Sequence, residues 1–426
     1  MEKKDIVNDD SFYCVNCGGK LTSTQDVCLK CGAFVKRKNY KNRKGKDKRA
    51  NFSLVEVIVI TLITGILVAT LTGIVVYNNY DKINKNDTTI KENEFEEIEK
   101  AYKQIMEEYF NKVDPKGLSN AAIEGMYNYL GDPYSSFLDE TNSKELRERL
   151  DGEFFGMGIE FATDEKGHEI KNVFEGGPAS KAGLLVGDII IKLNGEDVTG
   201  ISASEVAAKI KYSNISAITI TVLRGEEEIT KDITLSKVTI PSVTSNIYDK
   251  TGYIKLSTFA SNSLDQFKEH LKELEDKKIN SLIIDLRGNG GGLLNSASDI
   301  ASLFIEKGKK IYGLQSGSTR KFYTDKTNDK RNYKVVVLID GASASASEIL
   351  AAALKESYGA TLIGSTSYGK GTVQETSDLS SGAMVKFTTG YWLTPNGNNI
   401  NAKGLTPDIV VDNFDNIIDI ALEAVK

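Results

Sequence analysis

The sequence predicts a multidomain chain that ends in an α/β domain, and three observations carry that prediction. All four cysteines fall in two CxxC pairs before residue 32, a long uncharged aliphatic run follows a basic block, and the pattern changes near residue 237 from short β-type runs to β-runs separated by longer helices. In order, this gives a four-cysteine metal module (1–35), a basic linker (36–53), one transmembrane helix (54–77), a linker and helical lead-in (78–151), a mostly β domain (152–236) and the α/β domain (237–426). A length of 426 residues fits roughly three folding units at ~150 residues each. With 40% hydrophobic and 26% charged residues, a wholly disordered or collagen-like chain is excluded.

The charge is unevenly placed. Residues 1–50 hold 13 Lys/Arg and 6 Asp/Glu, whereas the whole chain has a net charge of -6, so everything beyond the apolar run is strongly acidic and does not fit a nucleic-acid partner. Only two histidines exist, His168 and His270, which excludes zinc enzymes built on several histidines. The region after residue 31 has no cysteine, hence neither a disulfide nor a thiol nucleophile.

Cys14-Val-Asn-Cys17 and Cys28-Leu-Lys-Cys31, each followed by glycine (Gly18, Gly32), supply four thiolates in two short knuckles. That set meets the tetrahedral demand of a structural zinc ion and leaves no open position for chemistry. A segment this short builds no core without a metal, and two disulfides are the other reading. The module resembles a zinc ribbon.

Nine Lys/Arg between Lys36 and Arg49 precede Val57–Tyr77, which is free of charge. At ~1.5 Å per residue the apolar run crosses the ~30 Å hydrocarbon core. The basic flank places residues 1–50 in the cytoplasm and residues 78–426 outside, at the cell membrane. Phe52-Ser53-Leu54-Val55-Glu56 also resembles a type IV prepilin start, although Asn51 stands where that family has glycine.

In the lead-in, Phe95, Ile98, Tyr102, Ile105 and Tyr109 recur at helical spacing, and Leu118, Ala122, Met126 and Leu130 form a second stripe before Gly131-Asp132-Pro133. Such stripes pack on their own domain or on a second copy of the chain. Residues 152–236 alternate β-type runs (Phe155–Ala162, Glu169–Phe174, Asp188–Leu193, Ala217–Leu223, Ile229–Leu235) with helical segments near Ala179–Ala182 and Ser204–Lys211. With Phe155-Gly156-Met157-Gly158-Ile159 and Gly177-Pro178-Ala179 through Gly187-Asp188, they resemble a PDZ domain. The resemblance implies β-augmentation: Gly156, Met157, Gly158 and Ile159 would bind a terminal carboxylate and a peptide strand. His168, between Gly167 and Glu169, reads as an exposed turn residue.

Three strand-to-helix or strand-to-loop ends stand out in the α/β domain, where reactive groups gather. Asp285-Leu286-Arg287-Gly288-Asn289-Gly290-Gly291-Gly292 exposes backbone N–H groups suited to an oxyanion. Ser345 and Glu348 fit an N-cap box, and a serine at a helix N-terminus is also a well-placed nucleophile. Tyr368-Gly369-Lys370-Gly371-Thr372-Val373-Gln374 holds a lysine between glycines; Gly371 breaks the phosphate-loop pattern it otherwise approaches. With histidine bases scarce, a Ser-Lys dyad fits, provided burial lowers the lysine pKa.

Together with Asp132-Pro133-Tyr134-Ser135, these segments resemble the carboxyl-terminal processing peptidases (tail-specific serine proteases) over about residues 95–426. The resemblance implies a ClpP/crotonase-like α/β fold, Ser345 as nucleophile, Lys370 as general base, Gln374 orienting Lys370, and oxyanion donors from the backbone N–H of Gly291 and Ala346. No cofactor is implied for catalysis; the partners implied are protein substrates with exposed C-termini. Gly288-Asn289-Gly290 departs from the Asn-Asn-Pro common in that family. Two other readings stay open at this point: a catalytically silent PDZ-type C-terminus receptor and a pilin-like secreted subunit.

Overall fold

The computed structural model describes residues 12–14, 16–22, 26–34, 92–165, 167–211 and 216–426. The predicted transmembrane helix (54–77) and the basic linker lie outside the described residues. Among the described residues no helix is long and apolar enough to cross a membrane. The chain divides into two compact units, 1–100 and 101–426.

In the first unit, Phe12–Tyr13 pairs antiparallel with Lys20–Leu21, and Val27 bridges Phe34. These small ribbons bring the two cysteine knuckles together.

In the second unit, two sheets build the C-terminal domain. The central sheet runs in the order Val243–Tyr248, Thr251–Leu256, Ser281–Asp285, Lys334–Ile339, Thr361–Gly364, Ile409–Val410. Its first pair is antiparallel and the rest are parallel. Ser281–Asp285 is buried at all five positions, which is why its centre, Leu282-Ile283-Ile284, reads as an aliphatic run and not as an alternation. One face packs on the helices Ser263–Asp276, Leu294–Ser302 and Ala346–Ala353, the other on the C-terminal helix Ile417–Ala424. Each fully buried anchor, such as Phe267 or Leu271 of the first helix, contributes on the order of 1.5–3 kcal/mol.

A second, antiparallel sheet orders Thr319–Thr324, Lys310–Ser316, Met384–Leu393 and Thr372–Asp378. Lys310–Ser316 and Thr319–Thr324 are partly solvated and carry polar residues, so they escape a reading based on apolar runs. The lead-in adds a fifth strand: Ser136–Leu138 pairs with Met384–Lys386. The lead-in helices are Glu92–Glu108, Pro115–Tyr129 and Glu140–Asp151. Their stripes do not pack on their own domain throughout; Ile105, Tyr109, Met126 and Leu130 are exposed.

The chain enters and leaves the PDZ-like region through one antiparallel ribbon, Glu153–Gly156 with Ser236–Thr239. Between them lies a sheet ordered Glu227–Thr234, Ala217–Arg224, Ile189–Leu193, Gly167–Val173, Ile159–Asp164, with its own core around Ile170, Ile190, Ile220 and Val222. The expected single run Phe155–Ala162 is broken at Met157-Gly158, where Gly158 takes φ +80°. His168 is a correction: it is fully buried, not an exposed turn residue. Its Nε2 faces the Val198 carbonyl at 2.8 Å, which only accepts, so Nε2 carries the proton and Nδ1 accepts from the Thr163 hydroxyl at 2.7 Å. Polar neighbours at both nitrogens stabilise its burial.

Candidate active site

Ser345 ends the loop that joins the buried strand Lys334–Ile339 to the helix Ala346–Ala353. The loop is held from below: Asp340 accepts from the N–H groups of Ala342, Ser343 and Gly288, and the Ser343 hydroxyl donates to Leu286 O at 2.9 Å. Ser345 itself sits at φ +56°, ψ -113°, a conformation that costs on the order of 1–3 kcal/mol for a residue with a Cβ. The turn leaves Ser345 partly accessible at the N-terminus of a helix whose eight residues are all buried. Ala346 is the first residue of that helix, so its N–H has no partner within the helix, and the positive end of the helix dipole lies there.

The predicted N-cap box is present: Glu348 accepts from the Ser345 N–H at 2.8 Å. Its role is larger than a cap. Glu348 is fully buried, and its two oxygens also accept from Lys370 N–H (3.0 Å), Gly369 N–H (2.7 Å) and the Ser367 hydroxyl (2.5 Å). One carboxylate therefore ties the serine turn to the lysine loop.

The glycines around Lys370 serve close approach. A Cβ on Gly371 would lie 2.7 Å from Asn401 N, and one on Gly369, at φ +88°, would lie 2.8 Å from Gly404 N. The carbonyl of Lys370 accepts from Trp392 Nε1 at 2.8 Å. Its ammonium makes no hydrogen bond or ion pair among the described residues and lies 4.7 Å from the centroid of the Tyr134 ring. Burial, aided by the charge of Lys386, pushes the Lys370 pKa down; Asp132 and Glu348 act in the opposite sense.

Gln374 is near this site but does not hydrogen-bond Lys370. Its Nε2 donates to Thr372 Oγ1 (2.9 Å) and Thr388 Oγ1 (3.1 Å), and Thr388 in turn donates to Asp132 at 2.6 Å. Gly291, the other predicted oxyanion donor, has a partner for its backbone N–H in this structure. Its N–H already donates to Asn289 Oδ1 at 2.9 Å, so it is not an open donor. Its place beside the nucleophile is nevertheless fixed, since a Cβ there would lie 3.0 Å from Ser345 Cβ and 2.7 Å from Ala344 O. The Gly288-Asn289-Gly290 departure leaves the loop firmly held: Asn289 is fully buried, donates to Leu256 O, and accepts through its own carbonyl from Ala344 N–H and the Ser347 hydroxyl.

Residues 250–411 match peptidase family S41, residues 145–223 a PDZ domain, and residues 70–142 the N-terminal domain of the activating protease CtpB. The chain is 38% identical over 324 residues to the carboxy-terminal processing protease CtpB of Bacillus subtilis (strain 168), covering 74% of this chain and 67% of that one. It is 32% identical over 383 residues to a probable CtpA-like serine protease of Staphylococcus aureus (strain N315), covering 89% of this chain and 77% of that one. The chain belongs to the S41 carboxyl-terminal processing peptidases. The solved photosystem II D1 C-terminal processing protease is also similar, at 28% identity and a TM-score of 0.44, with 73% of this chain and 85% of that chain covered.

In this S41 serine peptidase, the PDZ segment predicted to hold a carboxylate forms the turn between the entry ribbon and the edge strand Ile159–Asp164. Gly156, Met157 and Gly158 are buried, and the N–H groups of Met157 and Gly158 make no hydrogen bond among the described residues. Ile159 begins a strand that among the described residues is paired on one side only, with Gly167–Val173. The four cysteines predicted as ligands also come together. The sulfurs of Cys14, Cys17, Cys28 and Cys31 lie within 4.8 Å of one another, with Cys14–Cys31 at 3.5 Å and Cys17–Cys28 at 3.7 Å. A tetrahedral zinc with Zn–S near 2.3 Å needs sulfurs about 3.8 Å apart, so the donor set fits that ion.

Sequence reasoning missed two features of the peptidase site. Glu348 was read as a cap alone, because its other donors come from a loop some twenty residues away. The lead-in turn Asp132–Ser135 entered only through the family resemblance, because its partners Thr388 and Lys370 lie more than two hundred residues on.

Proposed function

We propose that this peptidase uses Ser345 as nucleophile and Lys370 as general base to cleave proteins near their C-termini. The observation that carries the reading is that Glu348 holds together the turn of a strained, helix-capping Ser345 and the loop of a half-buried Lys370, whose ammonium makes no hydrogen bond among the described residues. Lys370 Nζ, neutral, takes the Ser345 hydroxyl proton as Oγ attacks the scissile carbonyl, and the Ala346 N–H donates to the oxyanion. The C–N bond then breaks, the leaving amine takes the proton from Lys370, and water hydrolyses the acyl ester by the same route in reverse. Gln374 completes the site by fixing the wall beside Lys370.

The substrate tail enters as an added strand along Ile159–Asp164, its carboxylate held by the N–H groups of Met157 and Gly158. This capture supports cleavage upstream of the tail and gating of activity by tail binding. The 54–77 run anchors the chain in the cell membrane with the cysteine module in the cytoplasm and the PDZ and peptidase domains outside. The four cysteines hold a structural zinc, and the exposed lead-in stripe supports self-association.

The test is turnover by the full chain in detergent micelles on paired proteins differing only in their last few residues, with products read by mass spectrometry. Cleavage of the tailed member alone, abolished by Ser345→Ala and by Lys370→Ala, is expected. Retained cleavage in both variants overturns the dyad, and equal cleavage of tailed and tailless substrates overturns tail capture.

A further inference from the structure

We infer that Tyr134 is a positioning residue for Lys370: the lead-in turn Asp132–Ser135 forms one wall of the catalytic pocket, and the face of the Tyr134 ring holds the lysine ammonium in place. The inference rests on the reading of Lys370 as the base. The ammonium lies 4.7 Å from the ring centroid, inside the ~6 Å range of a cation–π contact, and among the described residues it has no hydrogen-bonding partner to compete.

The ring is fixed from several directions. Tyr134 N–H donates to Asp132 Oδ1 at 3.1 Å, and Asp132 Oδ2 accepts from the Ser135 hydroxyl at 2.5 Å and the Thr388 hydroxyl at 2.6 Å. Thr388 N–H donates back to Ser135 Oγ at 3.0 Å, and the next residues pair as a strand with Met384–Lys386. At the far end of the ring, the Tyr368 hydroxyl, with burial second, pushes the Tyr134 phenol up to about 12, so the ring stays neutral. Tyr368 belongs to the lysine loop, and its N–H donates to Ser343 O beside the nucleophile turn. The turn is thus stapled to the strand that carries Thr388, while its ring reaches the loop that carries Lys370.

A ring face attracts the ammonium and offers the neutral amine little. It orders the side chain in the protonated resting form and opposes the loss of the proton, so its removal has two consequences at once. The charged groups that act on Lys370, namely Lys386, Asp132 and Glu348, are unchanged by substitution at Tyr134.

The experiment compares Tyr134→Phe and Tyr134→Leu in the full chain, measuring kcat and KM on a tailed protein substrate across pH. Tyr134→Phe keeps the ring face and is expected to leave the acid limb of the kcat profile in place. Tyr134→Leu keeps apolar bulk but loses the face; its acid limb is expected to move down by about half a pH unit, with kcat reduced roughly threefold to tenfold and KM unchanged. Tyr134→Met replaces Tyr134→Leu if the latter does not fold, as judged by thermal unfolding. An unmoved limb in the ring-less variant, or an equal shift in Tyr134→Phe, overturns the inference. Lys370→Ala, run alongside, separates the two readings: an active Lys370→Ala removes the base assignment itself, whereas an inactive one with an unmoved Tyr134→Leu limb removes only the role of Tyr134.

Discussion

The backbone N–H groups of Ser345 and Lys370, 25 positions apart in sequence, donate to the same oxygen, Oε2 of Glu348, at 2.8 and 3.0 Å. The other oxygen takes Gly369 N–H and the Ser367 hydroxyl. A carboxylate is suited to this because it is all acceptor, with room for four donors. The serine turn and the lysine loop leave neighbouring strands of the central sheet, Lys334–Ile339 and Thr361–Gly364. The sheet brings the two loops close, and Glu348 sets their separation.

Glu348→Gln replaces one of those oxygens by an NH2 group, which faces donors it cannot pair with. The expected result is a drop in kcat of at least tenfold with little change in KM, together with about 1–3 kcal/mol of lost stability from the unpaired buried donors. Steady-state kinetics and denaturant unfolding check the two parts. A Glu348→Gln enzyme with normal kcat would show that the shared carboxylate does not set the reactive geometry.

Four of the six strands of the central sheet were legible because burial on both faces writes aliphatic runs, as at 282–284 and 335–339, whereas Val243–Tyr248 and Ile409–Val410 carry no such run. Ser345 and Lys370 were legible because a serine at a helix start and a lysine between glycines are locally unusual. Two strands of the antiparallel sheet were not, since Lys310–Ser316 and Thr319–Thr324 keep one side in water and carry polar residues. His168 was misread for a related reason: Gly167 and Glu169 look like a turn, while the partners that allow burial, Thr163 and Val198, are identified only once the strands pair. The engaged N–H of Gly291 is equally invisible to sequence, because a glycine run shows where donors can face but not which are already taken by a side chain such as Asn289.

Burial and the neighbouring charge of Lys386 lower the Lys370 pKa. A base works in its neutral form, so activity falls as pH drops through that pKa, and anything that raises the pKa moves the acid limb upward. Lys386→Met removes a like charge, and the limb of kcat/KM is expected to shift to higher pH with the plateau rate kept. The linkage runs in the same direction. With the folded pKa below the unfolded value near 10.5, the unfolded chain binds more protons between the two, so Lys370 costs the fold more at low pH and stability rises with pH through that window. A pH–rate profile that moves downward in Lys386→Met would contradict the electrostatic assignment.

The close approach around Lys370 makes a steric prediction. A methyl group on Gly371 would sit 2.7 Å from Asn401 N and 2.8 Å from Asn401 Cα, and backbone on both sides has no easy way to yield. Gly371→Ala is expected to push Lys370 off its place, lowering kcat by on the order of a hundredfold while the PDZ domain still binds a tail peptide. Parallel measurement of turnover and of tail-peptide binding by fluorescence anisotropy distinguishes a local displacement from general misfolding. Loss of both together would show instead that the glycine supports the whole domain.

The cysteine cluster yields a prediction independent of catalysis. Four sulfurs within 4.8 Å of one another, in two knuckles that turn at Gly18 and Gly32 with φ of +67° and +73°, are arranged for one tetrahedral ion. Purified full chain is expected to carry one zinc per polypeptide by elemental analysis, and Cys28→Ser to lose it. Because metal binding supplies the folding free energy of such a small module, chelation should also expose it to limited proteolysis N-terminal to the apolar run. Turnover of a soluble tailed substrate is expected to persist after chelation, since every group assigned to the reaction lies in the second unit. A full chain free of zinc, with the four thiols oxidised in pairs, would replace the metal reading by a disulfide one.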